Sequence, residues 1–119
     1  MQIQRYEPEV YPYLSTATVY GGVAYVSGLT SSDISLDIRG QTVATLENVD
    51  RALALAGSDK SRLLRCEIWI ADMTQFEAMN EVYLAWLDPE NIPSRVCTQA
   101  RLWHEDCLIE IMVTAVSES

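Results

Sequence analysis

Two charged residues near the C-terminus have the types and surroundings that substrate chemistry needs. Glu110 lies in an apolar strand-like segment, with Leu108 and Met112 on the same predicted face. Burying a carboxylate there costs free energy unless the group is paired or takes part in a reaction. Arg95 begins the preceding predicted strand just after Pro93. A guanidinium at a strand end can bind a carboxylate through two parallel hydrogen bonds.

These two charges are predicted to lie close together. Only a short polar turn, residues 103–106, separates their segments, so we expect the segments to pair as neighbouring strands and to bring Arg95 and Glu110 toward one end of a sheet. The pair is then either a ligand site, with Arg95 as the carboxylate receptor, or a salt bridge within one chain or between two chains. Spacing alone leaves both interpretations open.

Several other side chains are candidates for the same pocket. Cys97 lies two residues after Arg95 and projects from the same strand face. The nearby sequence has no His or Lys that would lower its pKa, which favours a small buried thiol over a nucleophile. Tyr13 could line a pocket or pack against the sheet edge, and Asn80 could bind a ligand or serve as a structural helix residue. His104, in the polar turn, is interpreted as a solvated loop residue.

The composition indicates one globular domain over residues 1–119, with 49% hydrophobic and 21% charged residues. The net charge of −9 and the scattered basic residues argue against binding nucleic acid. No apolar run could span a membrane, and the N-terminus lacks the pattern of a signal peptide. The cysteines, Cys66, Cys97 and Cys107, show no CxxC spacing, so we expect reduced thiols, no metal, no cofactor and a cytoplasmic location.

Periodicity predicts the element order βββαβαββ, an α+β class with a six-stranded mixed sheet and two helices on one face. Gly21-Gly22 suits a tight hairpin turn, Gly57 suits the end of the first helix, and Thr74 with Glu77 predicts a capping box for the second. The predicted strands are 2–6, 16–20, 23–27, 63–71, 95–100 and 107–116, and the predicted helices are 36–56 and 75–87.

The last predicted strand is apolar on both of its faces. Ile109, Ile111 and Val113 alternate with Leu108 and Met112. Two helices can cover only one face of such a sheet, so the second face also needs a cover. Another copy of the chain is the simplest cover, which predicts a homo-oligomer.

Four stretches together resemble the YjgF/RidA family of reactive-intermediate deaminases, also named endoribonuclease L-PSP. They are Tyr25-Val26-Ser27-Gly28, the run FEAMNEVY at 76–83, Pro93-Ser94-Arg95-Val96-Cys97 and Ile109-Glu110-Ile111. The likeness runs from about Thr16 to Val116 and is closer to the YoaB-like branch. It implies a chorismate-mutase-like fold and a homotrimer with ligand clefts at the three subunit interfaces.

The resemblance also implies roles for individual residues. Arg95 corresponds to the arginine that holds a substrate carboxylate, and Glu110 to the glutamate that positions water or transfers a proton. Leu29 stands where deaminating members usually have Gln. The predicted site therefore has Arg95 and Glu110 as catalytic residues, and Arg95, Cys97, Tyr13, Leu29 and Asn80 as substrate-binding residues.

Deaminating members of that family hydrolyse 2-imino or 2-enamino acids to 2-keto acids and ammonia, and this is the predicted function. The alternative is a non-catalytic binder or sensor of small carboxylate metabolites that uses the same cleft. A ribonuclease activity is disfavoured by the acidic charge and by the lack of an aromatic and basic surface.

Overall fold

The predicted element order is present in a computed structural model, which describes residues 2–118. The elements are β1 (Gln4–Tyr6), β2 (Ala17–Tyr20), β3 (Val23–Val26), α1 (Ile38–Leu55), β4 (Leu63–Ile70), α2 (Phe76–Trp86), β5 (Ser94–Gln99) and β6 (Ile109–Val116). Short 3-10 turns at Lys60–Arg62 and Met73–Gln75 precede β4 and α2. The α+β class, the mixed sheet and the two helices are confirmed.

The glycines that were predicted to make turns adopt the required backbone. Gly21 and Gly22 have φ values of 61° and 79° between β2 and β3, which form an antiparallel hairpin. Gly57 has a φ of 75° just beyond α1. These positive angles are strained for residues with a Cβ atom, so Gly21-Gly22 fixes where β3 begins and Gly57 fixes where α1 ends.

The two helices begin differently. Asp37 caps α1 by accepting a hydrogen bond from the Gly40 amide at 2.8 Å. The predicted capping box of Thr74 and Glu77 is wrong, because the Thr74 hydroxyl donates to Asp72 within the preceding 3-10 turn and α2 starts after it.

Within residues 2–118, neither helix has both the length and the apolar character of a membrane span.

The strand order is β1-β2-β3-β6-β4-β5, so the prediction that β5 and β6 are neighbours is wrong. Strand β4 lies between them, parallel to β5 and antiparallel to β6. The physical reason is the connection through α2: a strand, a crossing helix and a second strand form a parallel pair. That unit places β5 at the sheet edge and leaves the other side of β4 for β6.

The sheet has one face covered by the helices and one without cover in the single chain. Buried residues of the central strands, such as Cys66, Ile68 and Ile111, face the helices. The opposite face, which we call the open face, consists of Arg5, Thr18, Tyr25, Glu67, Trp69, Val96, Thr98, Glu110, Met112 and Thr114. It leaves large apolar groups in contact with solvent, since Tyr25 is 52% exposed and Val96 43%.

A buried glutamine on α1 fixes where β6 begins. The Gln41 side chain is fully buried, and its amide nitrogen donates to the carbonyls of Ile34, Leu36 and Asp106. Its amide oxygen accepts from the Leu108 amide at 2.9 Å. All of these groups are satisfied inside the core, as buried polar groups must be. Gln41 therefore ties α1 to the segment that carries Glu110.

Candidate functional site

Glu110 lies on the open face, between a neighbouring strand and a glycine. It is directly opposite Trp69 on β4. On its other side, Leu29 and Ile111 exchange backbone hydrogen bonds of 2.8 and 2.9 Å, which brings Gly28 beside β6. The Glu110 carboxylate occupies the space where a Cβ atom of residue 28 would stand. A glycine is therefore needed at position 28 for the carboxylate to lie where it does.

The Glu110 carboxylate has no polar partner in the part of its own chain that the structure describes. Among residues 2–118 its side chain makes neither a hydrogen bond nor an ion pair, and burial raises the pKa of this carboxyl above its usual value. A carboxyl group with a raised pKa holds a proton more readily than an ordinary glutamate, which favours a role in proton transfer. Its position and its chemistry suit a proton-transfer group.

Arg95 lies on the edge strand β5, two strands away from Glu110, and faces α2. Its Nη1 donates to Asn80 Oδ1 at 2.5 Å. Its guanidinium carbon lies 5.5 Å from the centre of the Phe76 ring and 4.9 Å from the centre of the Tyr83 ring. No carboxylate among the described residues forms an ion pair with it. The guanidinium is exposed and has donors left for an anion.

The thiols near Arg95 are protonated at neutral pH. Burial raises the pKa of Cys97, and the charge of Arg95 opposes this rise only in part. Burial also raises the pKa of Cys66 to about 11 and that of Tyr83 to about 12. These directions favour the interpretation of Cys97 as a small thiol rather than a nucleophile, because a reactive cysteine needs a lowered pKa.

Arg95 and Glu110 lie on opposite faces of the sheet. Arg95 is opposite Cys66, which faces the helices, whereas Glu110 is opposite Trp69, three residues further along β4. Side chains an odd number of residues apart on a strand point in opposite directions. A salt bridge between Arg95 and Glu110 within one chain is therefore excluded, and only a second chain could bring the two groups together.

The other predicted site residues lie in three places. Cys97 and Asn80 lie with Arg95. Tyr13 is 77% exposed and stacks on Tyr11, with ring centres 5.7 Å apart, in the loop between β1 and β2. The Leu29 side chain is half-buried and packs against the core on the helix side of the sheet. There it lines a cleft of about 470 Å³.

A cleft of about 550 Å³ lies on the open face next to Glu110, and the sequence analysis did not identify it. It is lined by Arg5, Pro8, Tyr11, Pro12, Leu14, Ser15, Thr18, Tyr25, Val26, Ser27 and Met112. Ser27 precedes Gly28, and Met112 follows Glu110 on the same face of β6, so the cleft adjoins the carboxylate. The signal that could have found it is the register of β1, β2 and β3, which aligns Arg5, Thr18 and Tyr25. No three metal-binding side chains cluster in the described part of the chain.

The family model described as endoribonuclease L-PSP matches residues 4–117. The chain is 32% identical over 101 residues to the RutC family protein YoaB of Escherichia coli, covering 85% of this chain and 88% of that protein. The chain belongs to the YjgF/RidA family. Another relative is the 3-aminoacrylate deaminase RutC of Acinetobacter baylyi, 32% identical over 114 residues, with 91% and 89% of the two chains covered.

Solved structures of YjgF/RidA proteins have the same fold. A crystal structure of a YjgF family member from Neisseria meningitidis matches with a TM-score of 0.93 and 33% identity, covering 100% of this chain and 98% of the other. The chorismate-mutase-like fold and the similarity to YoaB-like members of the YjgF/RidA family, both predicted from the sequence, are therefore confirmed.

Proposed function

We propose that this protein is a hydrolytic deaminase that converts small 2-imino and 2-enamino acids to 2-keto acids and ammonia. The observation that carries the proposal is the pair of unsatisfied charges. Glu110 is half-buried and has no partner among residues 2–118, and Arg95 is held by aromatic rings and an amide, with donors left for an anion. The RutC deaminase among the relatives supports this class of reaction.

The chemistry follows from what each group can do. The Arg95 guanidinium binds the substrate carboxylate through parallel hydrogen bonds and fixes the C=N carbon in place. Water adds to that carbon while the Glu110 carboxylate takes one of its protons. Glu110 then returns that proton to nitrogen, which gives a carbinolamine. It next carries the proton of the new hydroxyl group to the same nitrogen, so that the C–N bond breaks, ammonia leaves and the keto group forms. A 2-enamino acid enters this path as the imine, after a proton has moved from its nitrogen to its β carbon. No cofactor is required by these steps.

The proposed active site needs a second copy of the chain, because Arg95 and Glu110 of one copy point in opposite directions. We propose a homotrimer in which the open face is covered and Glu110 of one copy lies near Arg95 of another. The exposed apolar groups of the open face support this assembly. Multi-angle light scattering should give three times the 13.4 kDa of the chain. A stable monomer at micromolar concentration would contradict both the trimer and the shared site.

The alternative function is a non-catalytic binder of small carboxylates in the same cleft. Leu29 favours it, because an apolar side chain stands where deaminating relatives usually have Gln. The deciding experiment supplies freshly generated 2-aminoacrylate and measures ammonia and pyruvate. Release faster than the uncatalysed rate supports the deaminase. Pyruvate binding by calorimetry without any acceleration of ammonia release would support the binder.

Replacing Gly28 by Ala should displace the Glu110 carboxylate without unfolding the protein. The added Cβ overlaps Glu110 Oε2, which is the end of a flexible side chain and can move away at a small cost in free energy. A misplaced proton-transfer group should slow ammonia release by about 10- to 100-fold, with little change in melting temperature. In a double-mutant cycle, Gly28→Ala should add nothing to Glu110→Gln. Additive losses would mean that Gly28 does not act through Glu110.

A further inference from the structure

Three side chains of α2 surround the Arg95 guanidinium. Phe76, Asn80 and Tyr83 are spaced four and three residues apart, so they share the helix face that is turned toward β5. The two rings lie 5.5 and 4.9 Å from the guanidinium carbon, and Asn80 Oδ1 accepts the hydrogen bond from Nη1 at 2.5 Å. Of these contacts only the hydrogen bond depends strongly on direction.

We propose that Asn80 is a positioning residue that fixes the orientation of the Arg95 fork toward the ligand carboxylate. The sequence analysis placed Asn80 among the substrate-binding residues, whereas the geometry assigns its amide oxygen to Arg95. This inference rests on the proposed role of Arg95 as the carboxylate receptor. Asn80 acts on the ligand through Arg95 and does not itself touch the reacting atoms.

The two aromatic rings alone cannot fix the orientation of the Arg95 guanidinium group. A cation held against an aromatic face can rotate in the plane of contact with little change in energy. The hydrogen bond to Asn80 uses one of the five N–H donors of Arg95 and sets the direction of the others. Without it, the guanidinium must be oriented when the ligand binds, which lowers the affinity.

The neutrality of Asn80 is as important as its oxygen. A carboxylate at position 80 would accept the same hydrogen bond, but it would pair with the guanidinium charge and compete with the ligand carboxylate. A neutral amide orients Arg95 and leaves its charge for the ligand. The proposal therefore predicts opposite consequences for orientation and for binding when Asn80 is replaced by Asp.

The experiment compares Asn80→Ala and Asn80→Asp with the wild-type protein, using pyruvate as the probe and neutral pyruvamide as its control. We expect the dissociation constant for pyruvate to rise about tenfold in Asn80→Ala. It should rise further, to about a hundredfold, in Asn80→Asp. Pyruvamide binding should change little in either. In turnover of 2-aminoacrylate, KM should rise much more than kcat.

A matched control tests whether added charge alone explains the Asp variant. Gln4 lies on β1, at the sheet edge opposite β5, and its Oε1 accepts a hydrogen bond from the Tyr6 hydroxyl at 3.1 Å. Gln4→Glu adds the same charge and keeps an acceptor, so its pyruvate affinity should remain within twofold of wild type. An equal loss in Gln4→Glu and Asn80→Asp would overturn the proposal, as would unchanged affinity in both Asn80 variants.

A measurement without ligand separates this proposal from the proposed function. Nitrogen-15 spectra of the arginine side chains should show slowed rotation of the Arg95 Nη groups in wild type and in Asn80→Asp, and fast rotation in Asn80→Ala. If wild type neither binds pyruvate nor releases ammonia, the proposed function fails while these spectra still decide the role of Asn80. Identical Arg95 signals in wild type and Asn80→Ala would overturn that role.

Discussion

Replacing Glu110 by Gln should slow ammonia release from 2-aminoacrylate by about two to four orders of magnitude. The amide keeps the volume of the carboxyl group and can still lie over Gly28, but it cannot take a proton from water and return it to nitrogen. Binding of pyruvate should survive, because the proposed carboxylate receptor is Arg95. A steady-state assay beside calorimetry separates the two effects, and an unchanged rate would exclude Glu110 from proton transfer.

The same variant should not lose stability at neutral pH. Burial raises the pKa of Glu110 in the native state above the ordinary value of 4.5, which we take for the unfolded state. At a pH between the unfolded-state pKa and the native-state pKa, the native state therefore binds more protons than the unfolded state. Stability therefore falls as pH rises through this window, and Glu110→Gln should remove that part of the pH dependence. Its melting temperature at pH 7 should equal or exceed that of wild type.

A sharp drop in that melting temperature would have a different meaning. If Glu110 of one copy forms a buried ion pair with Arg95 of another, its neutralisation leaves a guanidinium without a partner. Breaking such a pair costs on the order of 3 to 5 kcal/mol. This outcome would retain the trimer but assign the two residues a structural role.

Local patterns predicted most of the fold, and a non-local pairing caused the main error. The Gly21-Gly22 turn and the positive φ of Gly57 follow from backbone sterics at single positions, so a sequence reveals them. The order of strands does not follow from local sterics. Arg95 and Glu110 are close in sequence, yet β4 lies between their strands because α2 connects β4 and β5 as a parallel pair.

The candidate site was found where a residue conflicts with its local pattern. A carboxylate on an apolar strand face identified Glu110, and an arginine after a proline identified Arg95. The contacts that position them come from distant segments, such as Gln41 with Leu108 and Gly28 with Glu110, and no local signal predicts these. The spacing of Phe76, Asn80 and Tyr83 is different, because a helical period alone places them on one face.

Helix α1 shows the limit of hydrophobic periodicity more directly. The apolar Val43 is 48% exposed, whereas the polar Gln41, Thr42 and Thr45 are buried. The hydroxyls of Thr42 and Thr45 donate to backbone carbonyls one turn earlier at 2.7 Å, which satisfies them inside the core. Polar residues that find partners can thus replace apolar ones on a buried face.

Replacing Arg95 by Ala should abolish carboxylate binding with little effect on folding. A charge-assisted bidentate contact contributes about 2 to 5 kcal/mol, which corresponds to a loss in affinity of about 30-fold to several thousandfold. Within residues 2–118 Arg95 makes no ion pair, so its removal leaves no charge of its own chain uncompensated. Calorimetry with pyruvate and a thermal melt are the measurements. Arg95→Lys should also bind poorly, because an ammonium group cannot reproduce the planar fork.

Mixing two inactive variants tests whether Arg95 and Glu110 act from different copies of the chain. In a trimer of Arg95→Ala and Glu110→Gln chains, an interface is intact when the first variant supplies Glu110 and the second supplies Arg95. With equal amounts and random assembly, the chain on the Glu110 side of an interface carries an intact Glu110 half of the time, and the chain on the other side carries an intact Arg95 half of the time. About a quarter of the interfaces are then intact, so about a quarter of the wild-type ammonia release should be restored. A site built within one chain would give no recovery, since every chain would lack one of its two groups. Absence of recovery in trimers shown to be mixed would therefore refute the shared site, even if each single variant had lost activity as expected.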